Sequence, residues 1–192
     1  MSIKIAVLGS TRGSNLEPLV RLIETTQLPA EIVLVVSDRE NTLILPRAKN
    51  LSIPTQLMSA AGLSREAYGE KLTALFRQYR IDLIVLIGYM RILAANFTEQ
   101  WSGHIINVHP SLLPKHGGLM DLEVHAAVLA AGDTESGCTV HLVDEHVDAG
   151  KILVQKSCLI AQGETCESLK AKIQALEVPA LLDAIALFCQ TQ

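Results

Sequence analysis

A repeated alternation of apolar, strand-like runs with helical segments constrains this chain more than any other feature. The runs are Ile3-Lys4-Ile5-Ala6-Val7-Leu8, residues 31–37, a weaker one over 53–58, Ile81-Asp82-Leu83-Ile84-Val85-Leu86-Ile87, and one entered at Ile105-Ile106. The stronger ones are apolar at successive positions rather than at alternate ones, as strands covered on both faces must be. Between them, Leu16, Leu19, Val20, Leu22 and Ile23 recur at helical spacing, with Pro18 tolerated in the first turn. Residues 41–50 read as a helix limited by Pro46, and Ser64 caps a helix running to about Tyr79. This order predicts an α/β fold, a mostly parallel twisted sheet with helices on both faces. After His109 the rhythm changes. A short helix over 124–131 precedes two strands, 138–143 and 152–155, joined by an acidic loop, which predicts an antiparallel extension of the sheet. A last helix spans 168–189 and is expected to be interrupted or kinked at Pro179. With no repeat, low-complexity tract or linker, residues 1–192 read as one domain.

Composition narrows the function classes. The formal charge is −4 and no basic run occurs, which argues against general nucleic-acid binding. Cys138, Cys158, Cys166 and Cys189 are scattered without a Cys-x-x-Cys pair, so neither a disulfide framework nor a zinc site is expected. No apolar run approaches the roughly 20 residues of a membrane span. Met1-Ser2-Ile3-Lys4 leads straight into a strand without a leader layout, so the expectation is a cytoplasmic protein.

Within this frame, His104-Ile105-Ile106-Asn107-Val108-His109-Pro110 stands out. Pro110 ends the strand because it has no N–H to give a ladder. Asn107 and His109, two apart, then share one face at the strand's carboxyl end, where open α/β sheets bind ligands. An amide beside an imidazole can hold an oxyanion and move a proton. The same residues also read as a polar strand end closed by a turn.

Three further stretches could carry chemistry. Gly9-Ser10-Thr11-Arg12-Gly13-Ser14-Asn15 joins a strand to a helix N-terminus, a place that binds phosphate. It lacks the spacing of a dinucleotide loop and the Lys of a P-loop, so a phosphate monoester fits better than NAD or ATP. An ordinary capping turn is the plainer reading. Asp144-Glu145-His146-Val147-Asp148-Ala149-Gly150 reads as a solvated charged hairpin, except that Ala149-Gly150 permits a tight turn. If that turn folds over the carboxyl edge of the sheet, Asp148 reaches His109 and raises its pKa. Gly88-Tyr89-Met90-Arg91-Ile92-Leu93 suits a flat heteroaromatic ligand, or simply leads into a helix. Of the other histidines, His141 reads as structural, His116 and His125 as flanking a Gly-rich turn, and His104 as a surface residue. None has metal-ligand spacing, and no metal is expected.

Several of these segments, taken in order, carry a resemblance. They are Gly13-Ser14-Asn15-Leu16, Ser64-Arg65-Glu66-Ala67-Tyr68, Gly88 to Leu93, Ile106 to Lys115, Gly137-Cys138-Thr139-Val140-His141 and Val147-Asp148-Ala149-Gly150. Together they resemble the phosphoribosylglycinamide formyltransferases, folate-dependent enzymes of purine synthesis, over essentially the whole chain. The resemblance implies a Rossmann-like formyltransferase fold, with a phosphate-binding half over 1–100 and a catalytic and folate-loop half over 101–192. It implies glycinamide ribonucleotide as substrate and 10-formyltetrahydrofolate as cosubstrate, with no metal, nucleic acid or membrane, in a monomer or homodimer. Asn107, His109 and Asp148 would be catalytic. Gly13, Ser14, Asn15 and Glu177 would bind the ribonucleotide. Arg65, Met90, Arg91, Ile92, Leu93, Asn107, Asp144, Val147 and Asp148 would contact the folate.

The chain departs from the family pattern after Pro114-Lys115. An aromatic-Pro-Gly-Leu-His-Thr-His turn is usual there, and this chain reads His116-Gly117-Gly118-Leu119-Met120-Asp121-Leu122-Glu123-Val124-His125. His125 matches the second histidine of that turn, the first has become Met or Asp, and the turn is about three residues longer. Thr11-Arg12 also replaces a more usual Gly-Asn. Hydrolysis of the same folate, formylation of methionyl-tRNA, and ligand binding without catalysis are the competing readings. The first two usually come with an additional domain, and an intact Asn107, His109 and Asp148 set speaks against the third.

Overall fold

The computed structural model describes residues 2–190. The chain runs β1 (Ile3–Leu8), α1 (Leu16–Thr25), β2 (Ala30–Ser37), α2 (Ile44–Asn50), β3 (Thr55–Leu57), α3 (Arg65–Tyr79), β4 (Leu83–Leu86), α4 (Ala95–Gln100), β5 (Ile105–His109), α5 (Leu122–Ala130), β6 (Glu135–Leu142), β7 (Ile152–Leu159) and α6 (Cys166–Gln190). The seven strands form one sheet in the order β3-β2-β1-β4-β5-β6-β7. The first five strands are parallel to one another, and β6 and β7 are antiparallel additions. This is the α/β architecture and the antiparallel extension expected from the sequence.

Alternation of side chains explains why the central strands are apolar at consecutive positions. In β1, Ile5 and Val7 join one buried layer with Leu16, Leu19, Ile44, Ile173 and Leu181. Ala6 and Leu8 join the other, with Leu72, Phe76 and Phe97. Ser64 caps α3 as expected, its hydroxyl accepting the N–H of Ala67 at 3.1 Å. The short helix α4 has no clear sequence signal, because six residues cover less than two helical turns. Its Phe97 is nevertheless buried, and the Trp101 indole that follows donates to Thr73 on α3 at 3.2 Å.

Three expectations are corrected. Pro179 lies inside α6 and does not interrupt it. One proline costs a single helical hydrogen bond, and buried Val178, Ala180 and Leu181 anchor the helix around that point. By length and composition α6 is also apolar enough to cross a membrane, contrary to the reading of the sequence. Here it packs against β6 and β7 through residues such as Leu169, Ile173 and Leu181. His104 is not a free surface residue either. Its Nδ1 lies 2.8 Å from the Asp82 carbonyl and its ring stacks edge-on against Phe188.

The segment after β5 is fastened to the antiparallel extension. The Thr139 hydroxyl, fully buried on β6, donates to the Ser111 carbonyl at 2.7 Å and accepts the Leu113 N–H at 3.0 Å. Gln155 on β7 donates to both the Leu113 carbonyl and Thr139. The connection from β6 to β7 starts beside the first residue of β5, since the Val143 N–H donates to the Ile105 carbonyl at 2.9 Å. It closes at Gly150, where an added Cβ would stand 1.8 Å from the Leu142 carbonyl oxygen. Only glycine allows that approach of two backbones. Gly150→Ala is therefore expected to cost about 2 to 3 kcal/mol of stability, read as a lower urea midpoint with an unchanged slope.

Candidate active site

Strand β5 ends in the residues singled out above. Asn107 and His109 project from the same face, and the antiparallel register sets His141 of β6 directly opposite Asn107. The His109 ring is 4% exposed. Its Nδ1 lies 3.2 Å from Asp148 Oδ2, and its Nε2 donates to the His116 carbonyl at 3.1 Å. Asp148 also accepts the Gly118 N–H at 2.9 Å through Oδ2 and lies 3.5 Å from His141 Nε2 through Oδ1. Amide, imidazole and carboxylate thus meet, although they come from separate parts of the chain.

Asp148 reaches His109 at the carboxyl end of β5, as a turn folding over that edge would bring it, and it does so by a fold-back. Because β6 runs antiparallel to β5, the connection after it begins near the start of β5 rather than at the carboxyl edge. The loop folds back from there, and Asp148 takes a left-handed backbone with φ of 54° to face His109.

Reading the sequence missed the position of His141. It is not merely structural, since its Nδ1 donates to the Leu142 carbonyl at 2.8 Å, which turns Nε2 toward Asn107 Nδ2 at 3.3 Å and toward Asp148. This nitrogen therefore faces both the Asn107 amide and the Asp148 carboxylate. Strand pairing carries this signal, and a linear sequence does not display it.

The electrostatics also differ from expectation. Burial pushes the His109 pKa below the ordinary imidazole value, while Asp148 and the His116 carbonyl pull the other way without cancelling it. For Asp148, burial would raise the pKa. The hydrogen bonds from His141 and Gly118, with the charges of His109 and His141, together outweigh that and hold the carboxyl below its usual range. Asp148 is thus an anion at neutral pH.

Around this centre lie the other expected site residues. Gly13 stands at φ of 61°, and a Cβ on it would meet Ile44 at 2.4 Å, so the loop before α1 requires glycine there. Ser14 and Arg12 are exposed beside it. Asn15 is buried, and its amide nitrogen is already engaged, donating to Glu177 Oε2 of α6 at 2.6 Å. Glu177 is itself buried, and desolvation raises its pKa against the opposing Asn15 bond. The Met90 N–H donates to Ser10 Oγ, which joins the first loop to the one after β4.

The cavity nearest the expected folate residues is small and is lined by Arg65, Arg91, Ile92 and Leu93 together with Tyr68 and Tyr89. The Arg91 guanidinium lies over the Tyr68 ring at 5.3 Å. Met90 is not part of that lining. Asp144 and Val147 are exposed, and Asp144 accepts the nearby His146 N–H and lies 3.7 Å from His146 Nδ1. The structure therefore groups four of the expected folate contacts in one cavity and leaves Asp144 and Val147 on the outer part of their loop. Among the described residues no cluster of three His, Cys, Asp or Glu could hold a metal ion.

The pKa directions make acid stability a readout of this site. Groups whose folded pKa lies below the unfolded value stabilise the fold above that unfolded value and lose their contribution as pH falls through the folded one. His109 and His125 are both lowered from 6.5, and burial is the first cause in each. Stability is expected to decline as pH falls below 6.5, and His109→Gln should flatten that slope without abolishing it. Urea midpoints measured against pH would check this.

Comparison with known proteins agrees with the geometry. The formyl transferase family profile matches residues 3–185. The phosphoribosylglycinamide formyltransferase of Haemophilus influenzae is 38% identical over 179 residues, which are 91% of this chain and 81% of that protein. The trifunctional purine biosynthetic protein adenosine-3 of Drosophila pseudoobscura pseudoobscura is 44% identical over 96% of this chain, which spans only 14% of that larger protein. The crystal structure of glycinamide ribonucleotide transformylase 1 from Symbiobacterium toebii superposes with a TM-score of 0.93 at 34% identity, over 99% of this chain and 89% of that one. A chain matched along nearly its full length, in both sequence and fold, belongs to the formyl transferase family, on its phosphoribosylglycinamide formyltransferase branch.

Proposed function

We propose that this chain transfers the formyl group of 10-formyltetrahydrofolate to the amine of glycinamide ribonucleotide. The observation that supports it most is the meeting of Asn107, His109 and Asp148 at the end of β5. In this reading the amine attacks the formyl carbon and negative charge develops on the formyl oxygen. The Asn107 amide and the His109 imidazolium stabilise that charge. The amine loses a proton and N10 of the departing folate gains one, carried by His109 or by water held at Asp148. No covalent enzyme intermediate is required, because holding the two substrates in contact removes most of the entropic barrier.

Binding is divided between the two halves of the chain. The loop Gly13-Ser14-Asn15 at the N-terminus of α1 takes the phosphate, whose charge suits unpaired N–H groups and the helix dipole. Glu177, held by Asn15, contacts the same substrate. Arg65, Arg91, Ile92 and Leu93 take the folate, joined by Met90, and the loop bearing Asp144, Val147 and Asp148 closes over it.

The test is an assay supplying both substrates and following formyl transfer separately from folate hydrolysis. Transfer is expected; hydrolysis alone would overturn the assignment. His109→Ala, Asp148→Ala and Asn107→Ala should each lower kcat about 100-fold or more with KM changed only a few-fold. Glu177→Ala should instead raise KM for the ribonucleotide about tenfold, the loss expected for a hydrogen bond to a charged group, and leave KM for the folate alone.

A further inference from the structure

The turn where this chain departs from its family is the one that grips the catalytic pair. The His116 carbonyl accepts the His109 Nε2–H at 3.1 Å, and the Gly118 N–H donates to Asp148 Oδ2 at 2.9 Å. Gly117 and Gly118 have no side chains with which to fix this turn. Its first residue, His116, sits at φ of 58°, a conformation that costs a non-glycine residue about 1 kcal/mol. The His116 side chain does provide an anchor. Its Nε2 lies 2.8 Å from Asp133 Oδ2, just beyond α5, and Lys115 Nζ holds the other oxygen of that carboxylate at 2.9 Å. The bond to His116 is also the first cause holding the Asp133 pKa below its usual value.

We propose that His116 and Asp133 form a clasp that positions the reaction's acid–base pair, by pinning the 116–118 turn so that its carbonyl and amide fix His109 and Asp148. The proposal rests on His109 and Asp148 being that pair. A carbonyl at Nε2 requires a hydrogen there, and a carboxylate at Nδ1 favours a second one. Together they support the doubly protonated ring that burial opposes. The titratable groups facing this ring are Asp148 from the loop after β6, His141 from β6, His116 from the turn and His125 from α5. Without the clasp the carbonyl moves off Nε2, the ring loses one of its two supports, and its orientation spreads. His116 and Asp133 touch neither substrate in this scheme; they are positioning residues.

The test combines two readouts on the full chain. Imidazole ¹⁵N shifts of the substrate-free protein report the titration of His109, and steady-state kinetics report kcat and KM. In His116→Ala and Asp133→Asn, kcat should fall about tenfold, as expected for a reacting group displaced by a fraction of an ångström. KM for both substrates should stay within about twofold, and the His109 midpoint should move to lower pH. His116→Gln keeps an N–H near the position of Nε2 and should restore most of both. Lys115→Met removes the other partner of Asp133 and should change neither. An unchanged midpoint and kcat in Asp133→Asn would overturn the clasp, as would a His116→Gln variant as impaired as His116→Ala. If His116→Ala does not fold, Asp133→Asn decides. A wild-type protein without transferase activity would sink the functional assignment, while the ¹⁵N titration would still report on the clasp.

Discussion

An imidazole and a carboxylate taken out of water together lose several kcal/mol of hydration, and hydrogen bonds must replace it. His109 and Asp148 meet that condition through groups the fold delivers from five directions. Strand β5 supplies His109 and Asn107, β6 supplies His141, the loop after β6 supplies Asp148, and the 116–118 turn supplies a carbonyl and an amide. The fifth is the packing of Thr139 and Gln155 against residues 111–113, which keeps the chain after β5 in place so that the turn can reach. The antiparallel register of β6 sets His141 opposite Asn107, and the loop after β6 folds back to bring Asp148 to His109.

The resulting effects on His109 oppose one another, and burial outweighs the rest. Burial favours neutral His109, while both of its ring nitrogens face acceptors that favour the cation. In the proposed reaction, such a ring would be the proton carrier. Asp148 is less ambiguous, since donors outnumber the effect of burial and keep it charged. His141 links Asn107 to Asp148 through its second nitrogen, which lies 3.3 Å from the amide of the one and 3.5 Å from the carboxylate of the other.

Much of this was legible in the sequence where the signal was local. The doubly buried strands β1, β2 and β4, the Ser64 cap and the strand-end placement of Asn107 and His109 all follow from periodicity and from the stop at Pro110. What was not legible depends on partners distant along the chain. The role of His141 comes from its register with Asn107, and the engagement of Asn15 from a helix that begins more than a hundred residues later. The direction of the His109 pKa was misread because a carboxylate neighbour can be inferred from a motif, whereas the depth of burial cannot. Helix α4 was missed for a different reason: it is too short to show a period, and its position is set by Phe97 and Trp101 packing on α3.

The grip on His109 and Asp148 is exerted by main-chain atoms, the oxygen of residue 116 and the nitrogen of residue 118. Peptide dipoles are the same whatever side chains flank them. The chemistry here is therefore indifferent to most of the lettering of its own support, and a descendant could rewrite Leu119 or Met120 without disturbing either bond. Proline at 118 is the clear prohibition, since it would delete the one hydrogen that Asp148 draws from the turn.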